Sequence, residues 1–191
     1  MDYQALRTAL QVKRSELPAN VIASKSLEIS ARVWRLPALS RARRLACYFA
    51  VNGEVDCQPI ITNAWERGRE IFLPVLCGEE LRFAPYVRGA QFNLNRYGIP
   101  EPICSHRHLL QPRQMDVVLT PLVAFDVNGN RLGMGGGYYD RSFRFLIQAQ
   151  NWTRPRLIGV GYEFQKAAQL KACSWDVPLN KAVTEQQVYD F

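Results

Sequence analysis

Apolar positions are helix-spaced over residues 2–17 and 20–36, through Leu6, Leu10 and Leu17 and then Val21, Leu27, Val33 and Leu36. Pro18 interrupts the run between them. Each segment therefore carries one apolar stripe, and the pattern predicts two helices joined as a hairpin at the N-terminus. At residue 45 the spacing changes. A short apolar run over 45–51 ends in Asn52-Gly53, which reads as a strand entering a tight turn, and 59–67 reads as a helix stopped by Gly68. Strands are predicted over 70–76 and 81–87, whereas 91–114, rich in Asn, Pro and Arg, predicts a long irregular surface connection.

Residues 117–125 form a nearly continuous apolar run, as a strand covered on both faces of a mainly parallel sheet requires. A helix is expected over 137–148, a strand over 156–162, a helix over 164–171 and a last short strand over 182–184. Strands alternating with helices predict an α/β protein, a three-layer α/β/α sandwich with a mainly parallel central sheet and the N-terminal helical hairpin. No internal repeat, low-complexity tract or linker divides the chain, so one domain is expected over 1–191. In open α/β sheets ligands sit outside the carboxyl ends of the strands, which directs attention to the turn at 52–54, the loop after residue 125 and the turn at 162–163.

That loop runs Asp126-Val127-Asn128-Gly129-Asn130-Arg131-Leu132-Gly133-Met134-Gly135-Gly136-Gly137-Tyr138-Tyr139-Asp140-Arg141, with four glycines among residues 133–137. Backbone without Cβ atoms can take positive φ and approach a ligand closely, and successive amides leading into a helix favour an anion. Arg131 and Arg141 add fixed positive charge. The loop has no Gly-Lys-Ser/Thr ending, and Tyr138 stands where a dinucleotide fold has its third glycine. A simple turn needs neither paired tyrosines nor Asp140 bracketed by arginines. A nucleotide site needs cations for phosphate, an acid for a divalent cation and apolar or aromatic walls.

The segment from Arg131 to Asp140, preceded by Pro121-Leu122-Val123-Ala124-Phe125-Asp126, resembles the signature of the 5-formyltetrahydrofolate cyclo-ligases (5,10-methenyltetrahydrofolate synthetases) of bacterial type. Asn52-Gly53-Glu54-Val55-Asp56 resembles the family's folate-contacting segment, and Trp175-Asp176-Val177-Pro178-Leu179 its second metal-binding segment. The resemblance covers the whole chain and implies ATP-dependent ring closure of 5-formyltetrahydrofolate to 5,10-methenyltetrahydrofolate, with ADP and phosphate released. In that chemistry the formyl oxygen attacks the γ-phosphate and N10 closes on the activated carbon. Such a site works by positioning and charge neutralisation and needs no covalent protein nucleophile.

By the same resemblance Arg7, Arg131, Leu132, Gly133, Met134, Gly135, Gly136, Gly137, Tyr138 and Tyr139 bind ATP. Phe49, Glu54 and the segment from Met134 to Tyr138 face the folate. Asp140 and Asp176 hold Mg²⁺, and Arg131, Tyr138 and Asp140 carry catalysis. Physically, Glu54 suits adjacent N–H donors because a carboxylate accepts two hydrogen bonds at once. The family's N-terminal lysine position is Tyr3 here, with Arg14 or Lys13 as substitutes on the same helix, and Asn180 stands where many members have an aspartate. Asn180 is left out of the metal set.

Composition changes this picture little. With 48% hydrophobic residues in 191, the chain is long and apolar enough for a real core. A net charge of +7 asks for an anionic partner. No zinc-finger, leucine-zipper or RNA-binding signature accompanies it, and Arg41, Arg43 and Arg44 read as a solvated turn. ATP and a folate with carboxylates would themselves use the cations. Five scattered cysteines without a Cys-x-x-Cys pair suit reduced thiols, and His106 and His108 are weak evidence for zinc. No apolar run reaches membrane-spanning length and the N-terminus is not signal-like. A cytoplasmic monomer acting on small molecules, without nucleic acid or membrane, is expected. A phosphotransferase on another acceptor, or a non-catalytic nucleotide- or RNA-binding module, are the competing readings.

Overall fold

Asp2 starts the first helix: its Oδ1 accepts the amides of Gln4 and Ala5 at 2.8 and 3.2 Å, capping α1 (Tyr3–Ser15). The computed structural model describes residues 2–148 and 153–191. Pro18 caps α2 (Ala19–Trp34), and a short α3 (Pro37–Arg41) leads into β1 (Arg44–Ala46). There follow α4 (Gln58–Glu66), β2 (Glu70–Cys77), β3 (Glu80–Pro85), β4 (Phe92–Leu94), β5 (Pro100–Pro102), β6 (Val117–Pro121), β7 (Ala124–Phe125) and β8 (Arg131–Leu132). The chain ends with α5 (Tyr138–Phe143), α6 (Phe145–Gln148), β9 (Arg156–Val160), β10 (Lys181–Val183) and β11 (Val188–Asp190).

Seven strands form the central sheet in the order β11-β10-β9-β6-β1-β2-β3. The inner pairs are parallel, and only the edge strands β3 and β11 run antiparallel to their neighbours. Strand alternation divides the core in two. Leu45, Ile71, Val117, Leu119, Ile158 and Val183 face one side, where Ile29 and Val33 of α2 and Ile60 and Ile61 of α4 cover them. Ala46, Phe72, Val118, Leu157 and Ala182 face the other, under Phe143 of α5 and the segment holding Val177 and Leu179. This is the expected three-layer α/β architecture. The apolar side of α1 serves a different purpose: Leu6 and Leu10 pack with Ala124, Leu132 and Leu170, beside the glycine loop.

Several local expectations change. The predicted strand over 117–125 stops at Pro121, because the carbonyls of Leu122 and Val123 turn to the Gln165 side-chain amide, each at 2.9 Å. Residues 124–132 then make a separate hairpin of β7 and β8, so the glycine loop leaves β8 rather than the buried strand itself. Buried Asp126 folds that hairpin by accepting the amides of Asn128 and Asn130, the Asn130 side chain and the amide of Leu170, all within 2.8–3.0 Å. The predicted helix over 164–171 is absent: only a single turn at Glu163–Gln165 forms. Its backbone donors go elsewhere, Ala167 to the Phe125 carbonyl at 2.7 Å and Leu170 to Asp126. Arg144 divides the helix predicted over 137–148, residues 91–114 contain the β4–β5 hairpin, and β11 was not expected. Arg43 and Arg44 pair with Glu70 where β1 meets β2.

Candidate active site

A cavity of about 1120 Å³ opens beyond the carboxyl ends of β1 and β6. Its walls include the residues that the family resemblance assigned to ligands: Arg7, Phe49, Glu54, the run from Arg131 to Asp140, and Asp176. Lys13 and Arg14 are not among its walls. The turn at 162–163 is not among them. Tyr162 instead supports the site from beneath, donating its hydroxyl to the Gly53 carbonyl at 3.1 Å, while Glu163 accepts from Thr184 at 2.6 Å and from Tyr189.

The glycine loop is held by its carbonyls. Arg7 Nε donates to Gly133 O at 2.9 Å, and Arg141 Nη2 donates to Gly136 O at 2.8 Å while its Nε reaches Glu79 O at 2.7 Å. The amides of residues 133–137 donate to no group among the described residues. Gly135 and Gly137 take φ of +101° and +65°, so the chain turns without exposing a Cβ. At Gly137 a Cβ would also meet Arg141 Nη1 at 2.6 Å. The result is a concave row of unused N–H donors with arginines behind it, a nest for an anion. The six-residue α5 is too short to contribute much of a helix dipole, so these amides supply most of the field.

Beside the loop Arg131 Nη2 lies 2.5 Å from Asp140 Oδ1, while Arg131 Nη1 is buried and has no partner among the described residues. An orphaned buried guanidinium nitrogen is costly unless an anion completes it. The Val177 amide also donates to Asp140 Oδ1, at 3.2 Å, which ties Asp140 to the segment bearing Asp176. Asp176 Oδ2 accepts the Cys173 amide at 2.8 Å. Each aspartate keeps a second oxygen without a partner among the described residues.

The paired tyrosines part company. Tyr139 turns inward, stacks on Phe143 at 6.1 Å and lies under Arg131, and burial pushes its hydroxyl well above the ordinary tyrosine range. Tyr138 turns outward. Its hydroxyl meets Tyr97 at 3.2 Å and accepts from Arg96 at the tip between β4 and β5, and these hydrogen bonds lower its pKa. Residues 95 and 97–101 thus wall the cavity, which corrects the reading of 91–114 as a mere surface connection.

Glu54 sits on the far side. Asn52 and Gly53 take φ of +49° and +74°, and a Cβ on Gly53 would meet the Arg14 carbonyl oxygen at 2.4 Å. Arg14 Nη1 lies 3.4 Å from Glu54 Oε1 and its Nε donates to Asn52 O at 2.9 Å. The Val51 amide donates to Glu54 Oε2 at 3.2 Å. Burial raises the Glu54 pKa, with Arg14 and the Val51 amide pulling it back only in part. Phe49 meets Tyr86 and Phe92 edge to face at 5.6 and 5.1 Å, giving this end an aromatic wall.

Arg14 was expected at most as a substitute phosphate ligand, and the structure buries it under Glu54 instead. The signal was its position. Leu6, Leu10, Arg14 and Leu17 share one helical stripe, so an arginine interrupts the apolar face. Tyr3 also lines the cavity, its hydroxyl bound to the backbone of Lys171. Asn180 accepts the Leu157 amide at 2.8 Å beside the sheet. Among the described residues no group of three or more His, Cys, Asp and Glu could hold a metal ion, and no helix is long and apolar enough to cross a membrane.

The model of the 5-formyltetrahydrofolate cyclo-ligase family matches residues 1–185. The 5-formyltetrahydrofolate cyclo-ligase of Escherichia coli strain K12 is 36% identical over 169 residues, 86% of this chain and 90% of that protein. The Haemophilus influenzae protein of the same name is 34% identical over 181 residues, covering 92% and 94%. Among solved structures, the Aquifex aeolicus 5,10-methenyltetrahydrofolate synthetase superposes with a TM-score of 0.83 at 29% identity, over 100% of this chain and 93% of that one. The synthetase from Mycoplasma pneumoniae gives 0.75 at 26% identity, over 97% and 99%.

Proposed function

Because the chain belongs to the 5-formyltetrahydrofolate cyclo-ligase family, we propose that its cavity closes 5-formyltetrahydrofolate to 5,10-methenyltetrahydrofolate at the expense of ATP. The observation that carries the phosphate half of this reading is the pairing of unused amides over 133–137 with the orphaned Arg131 Nη1. Both are donors awaiting one anion. Arg7 adds a second cation on the Gly133 side.

In the proposed reaction the formyl oxygen attacks the γ-phosphorus, the bond from that phosphorus to the bridging oxygen breaks, and ADP leaves. N10 then adds to the activated carbon and loses its proton, and the carbon–oxygen bond breaks to release phosphate. The chain's part is to hold and neutralise. Arg131 and the amides of residues 133–137 take the triphosphate, with Leu132 and Tyr139 fixing the loop behind it. Glu54, kept in place by Arg14, accepts the pterin N–H donors, with Phe49 as wall and Met134 to Tyr138 against the folate. Tyr138, bonded to Tyr97, closes that side of the cavity.

Asp140 and Asp176 would hold Mg²⁺. Two carboxylates, each with a spare oxygen, suit a hard ion that takes its other ligands from phosphates and water. Bound there, the ion would neutralise charge on the transferring phosphoryl group. A one-domain, monomeric, cytoplasmic enzyme acting on these small molecules is part of the same proposal, and five free cysteines support a reducing compartment.

The path of one oxygen tests the chemistry. With ¹⁸O in the formyl group, the label should emerge in inorganic phosphate. Label found in water, with phosphate unlabelled, would rule out attack by the formyl oxygen.

A further inference from the structure

We infer that Lys171 is a further ligand of the nucleotide's polyphosphate, placed there by Tyr3; the inference rests on the nucleotide reading of the cavity. The Tyr3 hydroxyl donates to the Lys171 carbonyl at 3.1 Å and also accepts the Lys171 amide, across 168 positions of sequence. Next door, the Leu170 amide donates to Asp126 Oδ2 at 2.8 Å, and its carbonyl accepts from the Asn130 side chain at 3.4 Å. Leu170 itself is buried against Ala124 and Leu132. The backbone at 170–171 is therefore fixed to the hairpin from which the glycine loop springs.

The Lys171 side chain is not used by the fold. Lys171 is an exposed residue of the cavity wall, together with Arg7 and Gly133, and its ammonium has no acidic partner among the described residues. A cation rooted this firmly beside a row of unused amides adds to a field that only an anion relieves.

Helix α1 decides which anion. Along it Tyr3 reaches Lys171, Arg7 reaches Gly133, Gln11 reaches Met134 and Arg14 reaches Glu54. Tyr3 and Arg14 are eleven residues apart, about 16 Å along a helix axis. That exceeds the reach of a lysine side chain, so Lys171 belongs to the phosphate end and not to the pterin end. The Tyr3 role is positioning.

Calorimetric titration with the Mg²⁺ complex of the β,γ-imido analogue of ATP tests this. Lys171→Ala should weaken binding about tenfold, the loss of one charge-assisted contact, and Lys171→Arg should stay within about threefold of the parent because its charge is kept. Tyr3→Phe should weaken binding by a smaller factor and add nothing in the Lys171→Ala background. The KM for 5-formyltetrahydrofolate should not move. Parental affinity in Lys171→Ala, a rise in folate KM in its place, or an additive Tyr3→Phe effect would overturn the inference. A parent protein that binds the analogue but forms no methenyl product would sink the cyclo-ligase reading separately and leave this titration intact.

Discussion

Arg131 Nη2 stands 2.5 Å from Asp140 Oδ1, while the other terminal nitrogen of the same guanidinium is buried without a partner among the described residues. One arginine is thus fixed by an acid through one nitrogen and open to an anion through the other. Asp140→Asn should retain the fold by circular dichroism yet lower kcat about 10³-fold, since charge neutralisation of the phosphoryl group is worth several kcal/mol. Near-parental turnover would remove Asp140 from the metal set.

Arg14 and Glu54 form a buried pair in which neither charge has another counter-ion among the described residues. Arg14→Met should cost about 3 kcal/mol in denaturant unfolding by stranding the carboxylate, and the double variant Arg14→Met/Glu54→Gln should recover much of it. Glu54→Gln alone should raise the KM for folate about tenfold, the loss of one charged hydrogen bond, while sparing the KM for ATP. An ATP-specific defect would reverse the two halves of the site.

The turn that presents Glu54 has no room for a side chain. Gly53→Ala should destabilise by about 3 kcal/mol, because positive φ and a Cβ 2.4 Å from the Arg14 carbonyl act together. Gly89→Ala, with similar φ but open space, should cost only about 1 kcal/mol. Equal costs measured by urea unfolding would mean that the contact with Arg14 is easily relieved.

Asp126 gives an acid-side test. Burial alone would raise its pKa, but the Leu170 amide, the Asn130 side chain and the amides of Asn128 and Asn130 outweigh it and hold the carboxyl below the usual range. With the folded pKa depressed, the stabilisation is present above the unfolded value of about 4 and is lost as pH falls through the lower folded value. Asp126→Asn should melt well below the parent at pH 7, with the gap closing below about pH 4. A gap independent of pH would contradict the assignment.

The parts of this site that were legible in the sequence are those built from contiguous chain. Glycines at 133–137 and the Asn52-Gly53 turn name their own backbone geometry, and the apolar run over 117–125 names the strand between them, though not its end at Pro121. What escaped depended on distant partners. The stretch 164–171 has helical spacing, yet Phe125 and Asp126 take its backbone donors, a competition that local pattern cannot register. Arg96 and Tyr97 look like loop residues until the β4–β5 hairpin lays them on Tyr138. Arg14 left a trace, a cation on an apolar stripe, but only the buried Glu54 explains it.

If one site couples ATP cleavage to ring closure, neither product can form without the other, and counting both is the decisive measurement. Protein, MgATP and 5-formyltetrahydrofolate should yield the methenyl product, followed by ultraviolet absorbance, and ADP in a ratio of one to one, with neither formed when the folate or the ATP is omitted. ADP released without methenyl product, or at the same rate in the absence of folate, would uncouple the two reactions and point to another phosphoryl acceptor.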